Sequence, residues 1–216
     1  MSAVTVLLAS SSPQRKTILA ELGVSARCVA VDVDEVTLAT PEETVRENAQ
    51  LKARAALTFV REGELVVAAD TVVAAGGKIL GKPHDVTRAV EYLHLLNGAR
   101  VDAYTGVCVV RHDGGGYVGV ESAGAQIRPL SDAEISWYVA TGEPLSRAGA
   151  IGISRIGEVF VERLAGAYSC FAGLPKAMLM AQLGRMGVSP FNGMPQDFNN
   201  GVSLLQQVTL TKSEVD

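Results

Sequence analysis

Between Leu65 and Pro83 the chain reads LVVAADTVVAAGGKILGKP. An apolar, β-rich run of this kind predicts a strand buried on both faces, so a sheet must be built on either side of it. Gly76-Gly77 then turns the chain into a second short strand, and Gly81-Lys82-Pro83 follows. One acid, Asp70, interrupts the run. A charge there is costly unless it is paired, hydrogen-bonded or bound to a metal. The plain reading is a strand-end acid satisfied by backbone amides. The sharper one is a carboxylate held on a rigid element to do chemistry, with Lys82 brought back beside it by the hairpin. We take the second, because other parts of the chain supply matching charges.

The 216 residues fit one large domain, or one domain with two lobes, and at 48% hydrophobic they can bury a substantial core. A net charge of −4 gives no basic footprint, which argues against nucleic acid as a partner. Cys28, Cys108 and Cys170 are far apart and form no C-x-x-C pair, which suits a reducing cytosol rather than a disulfide framework or a zinc site. His84, His94 and His112 also lack ligand spacing. The apolar stretch Val4 to Ala9 is too short for a signal peptide, and no stretch approaches the roughly 18 residues needed to span a bilayer. A cytoplasmic protein without membrane partners is expected, and the sequence leaves a homodimer open.

Val4 to Ala9 reads as a buried strand running into Ser10-Ser11-Ser12-Pro13, with Ser12 as N-cap and Pro13 as first helical residue. That helix stops at Gly23. A second strand is expected over about Arg27 to Val33, then an acidic loop with Asp32, Asp34 and Glu35. Thr40-Pro41-Glu42-Glu43 is a capping box for a helix lasting to about Phe59, with Ala49, Ala53 and Ala56 as a slim packing face. Asp85 caps a helix ending at Asn97-Gly98. Val101 to Arg111 and Tyr117 to Pro129 form a long hairpin, and Ser131 to Glu134 is a second capping box. A strand pair over about Glu158 to Phe171 and a helix from Pro175 to Met186 finish the expected domain, residues 1–187. From 188 to 216 the chain turns to Asn, Gln, Gly and Ser, and reads either as a disordered tail or as one pairing weakly through Val208 to Leu210. Helices alternate with strands early and an antiparallel hairpin follows, so an α/β fold with a mixed sheet is expected.

Three places could carry chemistry. Ser10 to Ser12, at a strand-to-helix junction with Arg15 one turn in, would offer backbone amides, hydroxyls and a guanidinium to an anion; ordinary capping beside a surface arginine is the alternative. Gly114 to Gly119 formally satisfies G-x-G-x-x-G, but it lies in a hairpin turn and leads into a strand, so it is discarded as a dinucleotide site. The third is a constellation of acids Glu35 and Asp70 with cations Arg15, Lys52 and Lys82. Two acids could hold Mg²⁺ or Mn²⁺ while the cations neutralise a polyphosphate, provided the fold converges them.

With Leu8-Ala9-Ser10-Ser11-Ser12-Pro13-Gln14-Arg15, Asp34-Glu35, Lys52-Ala53, Ala69-Asp70-Thr71, Gly81-Lys82-Pro83, Tyr104-Thr105-Gly106, Thr141-Gly142-Glu143-Pro144, Ala148-Gly149 and Gly173-Leu174-Pro175 in that order, the chain resembles the Maf family of nucleoside triphosphate pyrophosphatases from about Val4 to Gly187. The resemblance implies an elongated mixed sheet flanked by helices, with two lobes around a cleft, broadly similar to enzymes that hydrolyse ITP. It also implies metal-assisted hydrolysis of a nucleoside triphosphate to monophosphate and pyrophosphate. By the same resemblance Asp70 is the catalytic acid or base. Glu35 and Asp70 would hold the metal, and Ser10, Ser12, Gln14, Arg15, Lys52, Thr71, Lys82 and Ser154 would bind substrate.

Some positions depart from the family pattern. Gln14 stands where the family shows an arginine, Ser146-Arg147 where it shows Asp-Lys, and Ser154 where it shows a glutamine. Members similar to pyrimidine-triphosphate hydrolases carry arginine, threonine and glutamine at the positions of Gln14, Thr71 and Ser154, so this chain keeps only the threonine. The resemblance therefore implies a relaxed choice of base, with UTP and dTTP accepted. Alternatives are an ITP/XTP-type pyrophosphatase, a nucleotide-sensing interaction protein tied to septum formation, or a binding module for anionic metabolites; release of pyrophosphate separates the enzymes from the binders.

Overall fold

The computed structural model describes residues 5–188 and 206–211. Val4 and most of the expected tail, 189–205 and 212–216, lie outside the described residues. Among the described residues eight strands form one mixed sheet: β1 (Thr5–Ala9), β2 (Ser25–Val29), β3 (Leu65–Ala75), β4 (Lys78–Leu80), β5 (Arg100–Val110), β6 (Gly115–Ile127), β7 (Val161–Ala165) and β8 (Gln206–Thr209). The order is β2-β1-β3-β5-β6-β7, with β4 added to β3 and β8 to β6. The helices are α1 (Pro13–Glu21), α2 (Pro41–Ala56), α3 (Val86–Leu96), α4 (Asp132–Ala140), α5 (Tyr168–Phe171) and α6 (Lys176–Arg185). The chain divides into two compact units, and β3 passes from one to the other between Asp70 and Thr71.

The first unit comprises Met1–Asp70, Thr105–Glu121 and Gly173–Asp216. Here β1 lies parallel to both β2 and β3, so Val6, Leu7 and Leu8 are fully buried, as a two-sided strand requires. Helix α2 opens with the expected capping box, Thr40 and Glu43 exchanging both bonds, a feature worth about 1 kcal/mol. Its small residues Ala49, Ala53 and Ala56 allow a very close approach to the sheet. A Cβ at Gly106 would come within 2.2 Å of the Val45 carbonyl oxygen, so Tyr104-Thr105-Gly106 needs its glycine. Cys108 lies in this core, and burial pushes its thiol up to about 12, which makes it a packing residue. β8 pairs antiparallel with Gly115–Val118, and Leu210 closes the core beside Gly114.

The second unit comprises Thr71–Tyr104 and Ser122–Ala172. Its core gathers Leu93 and Leu96 of α3, Ile135 and Tyr138 of α4, Ile127 and Phe160. The hairpin forms as expected, with Val73 opposite Leu80 and Ala75 opposite Lys78. Asp85 caps α3, and Ser131 with Glu134 forms the second capping box.

Three expected boundaries are corrected. β2 ends at Val29, not Val33, because its partner β1 runs out at Ala9, opposite Val29. α2 ends at Ala56 rather than Phe59; the amides of Leu57 and Phe59 reach back only three residues and close the last turn. Most of Glu158 to Phe171 is not a strand pair. Ile156–Phe160 is a 3₁₀ turn, only Val161–Ala165 is a strand, and Tyr168–Phe171 is helical. The Glu158 amide donates three residues back to the Arg155 carbonyl at 3.2 Å, which winds the start of the stretch into the 3₁₀ turn, and Glu143 holds the Ile156 and Gly157 amides just before it.

Candidate active site

The serine loop leaves β1 and enters α1. Ser12 has the extended backbone of an N-cap and Pro13 is first in the helix, but the Ser12 side chain makes no capping bond. Instead the Ser12 N–H donates to Ser10 Oγ at 3.1 Å, and Arg15 Nη1 donates to the same oxygen at 3.2 Å. With two donors already on its oxygen, the Ser10 hydroxyl is left to give its own hydrogen to a further acceptor. Arg15 Nε donates to the Gly173 carbonyl at 2.8 Å, which ties Gly173-Leu174-Pro175 to the loop. Burial holds the Arg15 guanidinium below its ordinary value, and the charges of Asp70 and Glu35 oppose that shift. An arginine remains charged under such a shift. It is therefore a fixed cation in the field of both acids.

Asp70, at the end of the first unit's part of β3, is only 6% exposed. Its charge is met by Lys52 of α2, whose Nζ lies 2.6 Å from Asp70 Oδ1 and 2.7 Å from Glu35 Oε1. One ammonium thus bridges a buried carboxylate and an exposed one. The other Asp70 oxygen accepts a bond of 3.1 Å from the amide of Asn48, one helical turn before Lys52. Spacing of four residues puts Asn48 and Lys52 on the same stripe of α2, so one helix supplies donors to both carboxylate oxygens. The same Asn48 holds the backbone of Val36, next to Glu35, at 2.8 and 3.0 Å.

Among the described residues no three acids, histidines or cysteines cluster as a metal site. The pair Glu35 and Asp70 nevertheless fits a hard cation. Both present oxygen donors to one centre, and Mg²⁺ is commonly held by one or two carboxylates with phosphate and water completing the shell.

The cation on Asp70 is therefore Lys52 rather than Lys82, which corrects the hairpin argument. Lys82 is exposed and forms no ion pair among the described residues. Pairing between β3 and β4 ends at Val73 and Leu80, and Gly81 is then drawn off the ladder by accepting the Gly149 amide at 3.0 Å. Gln14 on α1, Thr71 on β3 and Ser154 are each half-buried. Ser154 sits in a turn pinned on both sides. Tyr138 Oη accepts the Gly152 amide at 2.8 Å and donates to Glu143 Oε1 at 2.8 Å, while Glu143 takes the Gly157 and Ile156 amides at 3.2 and 3.4 Å. Thr141-Gly142-Glu143-Pro144 thereby acts as a clamp. Ser146 closes the 3₁₀ turn by donating to the Glu143 carbonyl.

Asn48 and the Gly173 carbonyl were not among the sequence candidates. The signal for Asn48 was its place on an otherwise alanine-lined helix face, four residues before Lys52. Nothing in the sequence marks a carbonyl as an arginine acceptor.

A family model described as Maf-like protein matches residues 5–186. The dTTP/UTP pyrophosphatase of Anaeromyxobacter dehalogenans is 42% identical over 189 residues, covering 84% of this chain and 94% of that protein. Those of Deinococcus radiodurans and Thermococcus gammatolerans are 39% and 38% identical, over 88% and 81% of this chain and 97% and 92% of theirs. Among solved structures, a nucleoside-triphosphatase / dITP/XTP pyrophosphatase from Mycobacterium abscessus aligns with 59% of this chain and 76% of its own, at 18% identity and a TM-score of 0.38.

Proposed function

The chain belongs to the family of Maf-like proteins, and on that footing we propose that it hydrolyses nucleoside triphosphates to a monophosphate and pyrophosphate, with dTTP and UTP among its substrates. One observation carries the reading: Asp70 and Glu35 share the Lys52 ammonium within the field of the half-buried Arg15. Paired acids beside fixed cations suit in-line attack on a phosphate chain, where little covalent chemistry is needed and charge stabilisation dominates. Asp70, held on a rigid strand, accepts the proton of the attacking water or orients it. Lys52 is the movable charge. Bridging two carboxylates in the resting site, it is free to follow a polyphosphate oxygen once substrate brings its own negative charge. Ser10 donates its hydroxyl hydrogen to a phosphate oxygen, and Arg15 stabilises the anionic chain from behind it.

Glu35 and Asp70 would hold a divalent cation, Mg²⁺ or Mn²⁺, which when bound neutralises the phosphates and acidifies water. Assignment of Ser12, Gln14, Thr71, Lys82 and Ser154 to substrate rests on the family resemblance. So does relaxed base choice. Cytoplasmic action on free nucleotides, without nucleic acid or membrane, follows from the same substrate class; no helix among the described residues is long and apolar enough to cross a membrane.

The test is product identification. Purified protein with UTP or dTTP and Mg²⁺ or Mn²⁺ should give the monophosphate and pyrophosphate, resolved by anion-exchange chromatography. Orthophosphate and a diphosphate would mean attack at the wrong phosphorus and would sink the assignment.

A further inference from the structure

Asn48 is 2% exposed and uses its amide on both sides. Oδ1 accepts the Val36 N–H at 2.8 Å, while Nδ2 donates to the Val36 carbonyl at 3.0 Å and to Asp70 Oδ2 at 3.1 Å. The first bond decides which way round the amide sits. An N–H needs an oxygen opposite it, so the NH₂ end must face Asp70. Asp70 is then gripped at Oδ2 by an amide and at Oδ1 by Lys52, both from α2, and its carboxylate plane cannot turn without losing one of them. Through Val36 the same amide fixes the segment that carries Glu35.

A loop anchor alone would need only the two Val36 bonds. The third, aimed at a buried carboxylate, is a separate use of the residue. We infer that Asn48 is a positioning residue for pyrophosphate release: it sets the orientation of Asp70 and joins it to the Glu35 segment. This rests on the functional reading above, in which Asp70 and Glu35 do the chemistry. Asn48 touches neither substrate nor metal and acts only through the acids.

Asn48→Asp removes the donor to Asp70 while keeping the bond from the Val36 N–H. It has nearly the same shape, but it also gives up the bond to the Val36 carbonyl and sets a second carboxylate against Asp70. kcat for UTP should fall about 10–100-fold, the usual cost of losing a supporting partner behind a ligand carboxylate. KM should stay within about threefold, and hydrogen exchange of the Val36 amide should remain slow. A residue that merely anchors the loop would show its loss in faster Val36 exchange and a raised KM, and would leave kcat where it was. Asn48→Asp combined with Asp70→Asn restores a donor–acceptor pair with the roles exchanged, so thermal stability should recover while turnover stays lost. Should Asn48→Asp fail to fold, Asn48→Ser is read by kcat together with Val36 exchange, because it gives up the amide's bonds to Val36 as well as the one to Asp70. An unchanged kcat in either single variant, or turnover regained in the double one, overturns the proposal. Wild-type protein that releases no pyrophosphate from any nucleoside triphosphate overturns the functional reading and this one together, so the two failures are told apart by the wild-type assay.

Discussion

Asp70 and Glu143 are both buried carboxylates, 6% and 9% exposed, and the protein satisfies them in opposite ways. Around Glu143 the donors are a phenol and two backbone amides, with Arg155 at 3.8 Å and more than half exposed. Every close donor is neutral and fixed by the fold. Burial, with the bond to Glu143 adding to it, raises the Tyr138 pKa, so the phenol stays a donor at any physiological pH. Around Asp70 the donors are one rigid amide and one ammonium shared with Glu35, a residue 56% exposed at its side chain. That second arrangement can be redistributed when another anion or a cation arrives. The first cannot. An acid whose close donors are a phenol and backbone amides is fixed by the fold; one shared through an ammonium with an exposed acid is the arrangement on which the proposed chemistry rests.

The strongest way to break this contrast is to remove each charge. Asp70→Asn keeps shape but must turn its own NH₂ toward either Asn48 or Lys52, both of them donors, so some stability is lost while kcat falls about 10²–10⁴-fold, the span for a positioned acid–base group. Steady-state pyrophosphate release under saturating Mg²⁺ or Mn²⁺ reads it directly, and an unchanged kcat would reject the role. Glu143→Ala should do the reverse. It strands the Tyr138 hydroxyl and the Ile156 and Gly157 amides, each costing about 1–3 kcal/mol when buried without a partner. Urea unfolding should show a loss of about 2–5 kcal/mol, discounted because some groups will find water. The fraction still folded should turn over within a few-fold of wild type. If Glu143→Ala killed turnover in a fully folded protein, the contrast would collapse.

Much of this was readable in the chain. Strand β3, the hairpin behind it, both capping boxes and the alanine face of α2 follow from patterns of one or two turns, where local rules decide the structure. Asp70 was legible because a charge in a two-sided strand demands an explanation. The partner of that charge was not. Lys82 is near in sequence and was expected, whereas Lys52 reaches Asp70 only because α2 lies against the sheet, a matter of packing. The strand expected across Glu158 failed for a like reason. Glu143, about fourteen residues earlier, holds the Ile156 and Gly157 amides that lead into it and sets up the 3₁₀ turn, and no local period records that.

The clamp also carries a position that the resemblance ties to base choice, so it should shape specificity without touching chemistry. Ser154 lies between the pinned Gly152 and Ile156 amides, in a turn whose backbone is already fixed. A serine is too short to replace a glutamine amide without a bridging water. Ser154→Gln should therefore favour dTTP and UTP over GTP and ITP by roughly 5- to 150-fold in kcat/KM, the range of one specific hydrogen bond of about 1–3 kcal/mol. Competition assays on mixed triphosphates would measure it. An equal change for purines and pyrimidines would show that the position does not read the base.

A third buried carboxylate sharpens the rule at its edge. Glu64 is 8% exposed and, like Asp70, faces a cation: Arg27 donates to its two oxygens at 3.3 and 2.8 Å, and the Arg61 amide adds a bond of 2.9 Å. If cation pairing alone marked function, Glu64 would qualify. It does not, because its two-pronged arginine is also anchored on the Phe59 carbonyl at 2.7 Å and has no second acid to share. Glu64→Gln should leave kcat within about twofold and lower the melting temperature by no more than about 2–4 °C. The Arg27 hydrogen bonds hold Glu64 below the usual carboxylate range, with the Arg61 amide and both arginine charges adding to them against burial. A depressed folded-state pKa stabilises the fold fully above the unfolded value of about 4.3 and loses that contribution as the pH falls through the folded one. The gap in stability between wild type and Glu64→Gln should therefore be flat from pH 6 to 8, taking about those limits from the same linkage, and close on acidification below about 4.3. A gap that instead opened in acid would mean the pair is not formed in solution, and sharing between two acids, rather than fixation by one arginine, would lose its standing as the mark of the working site.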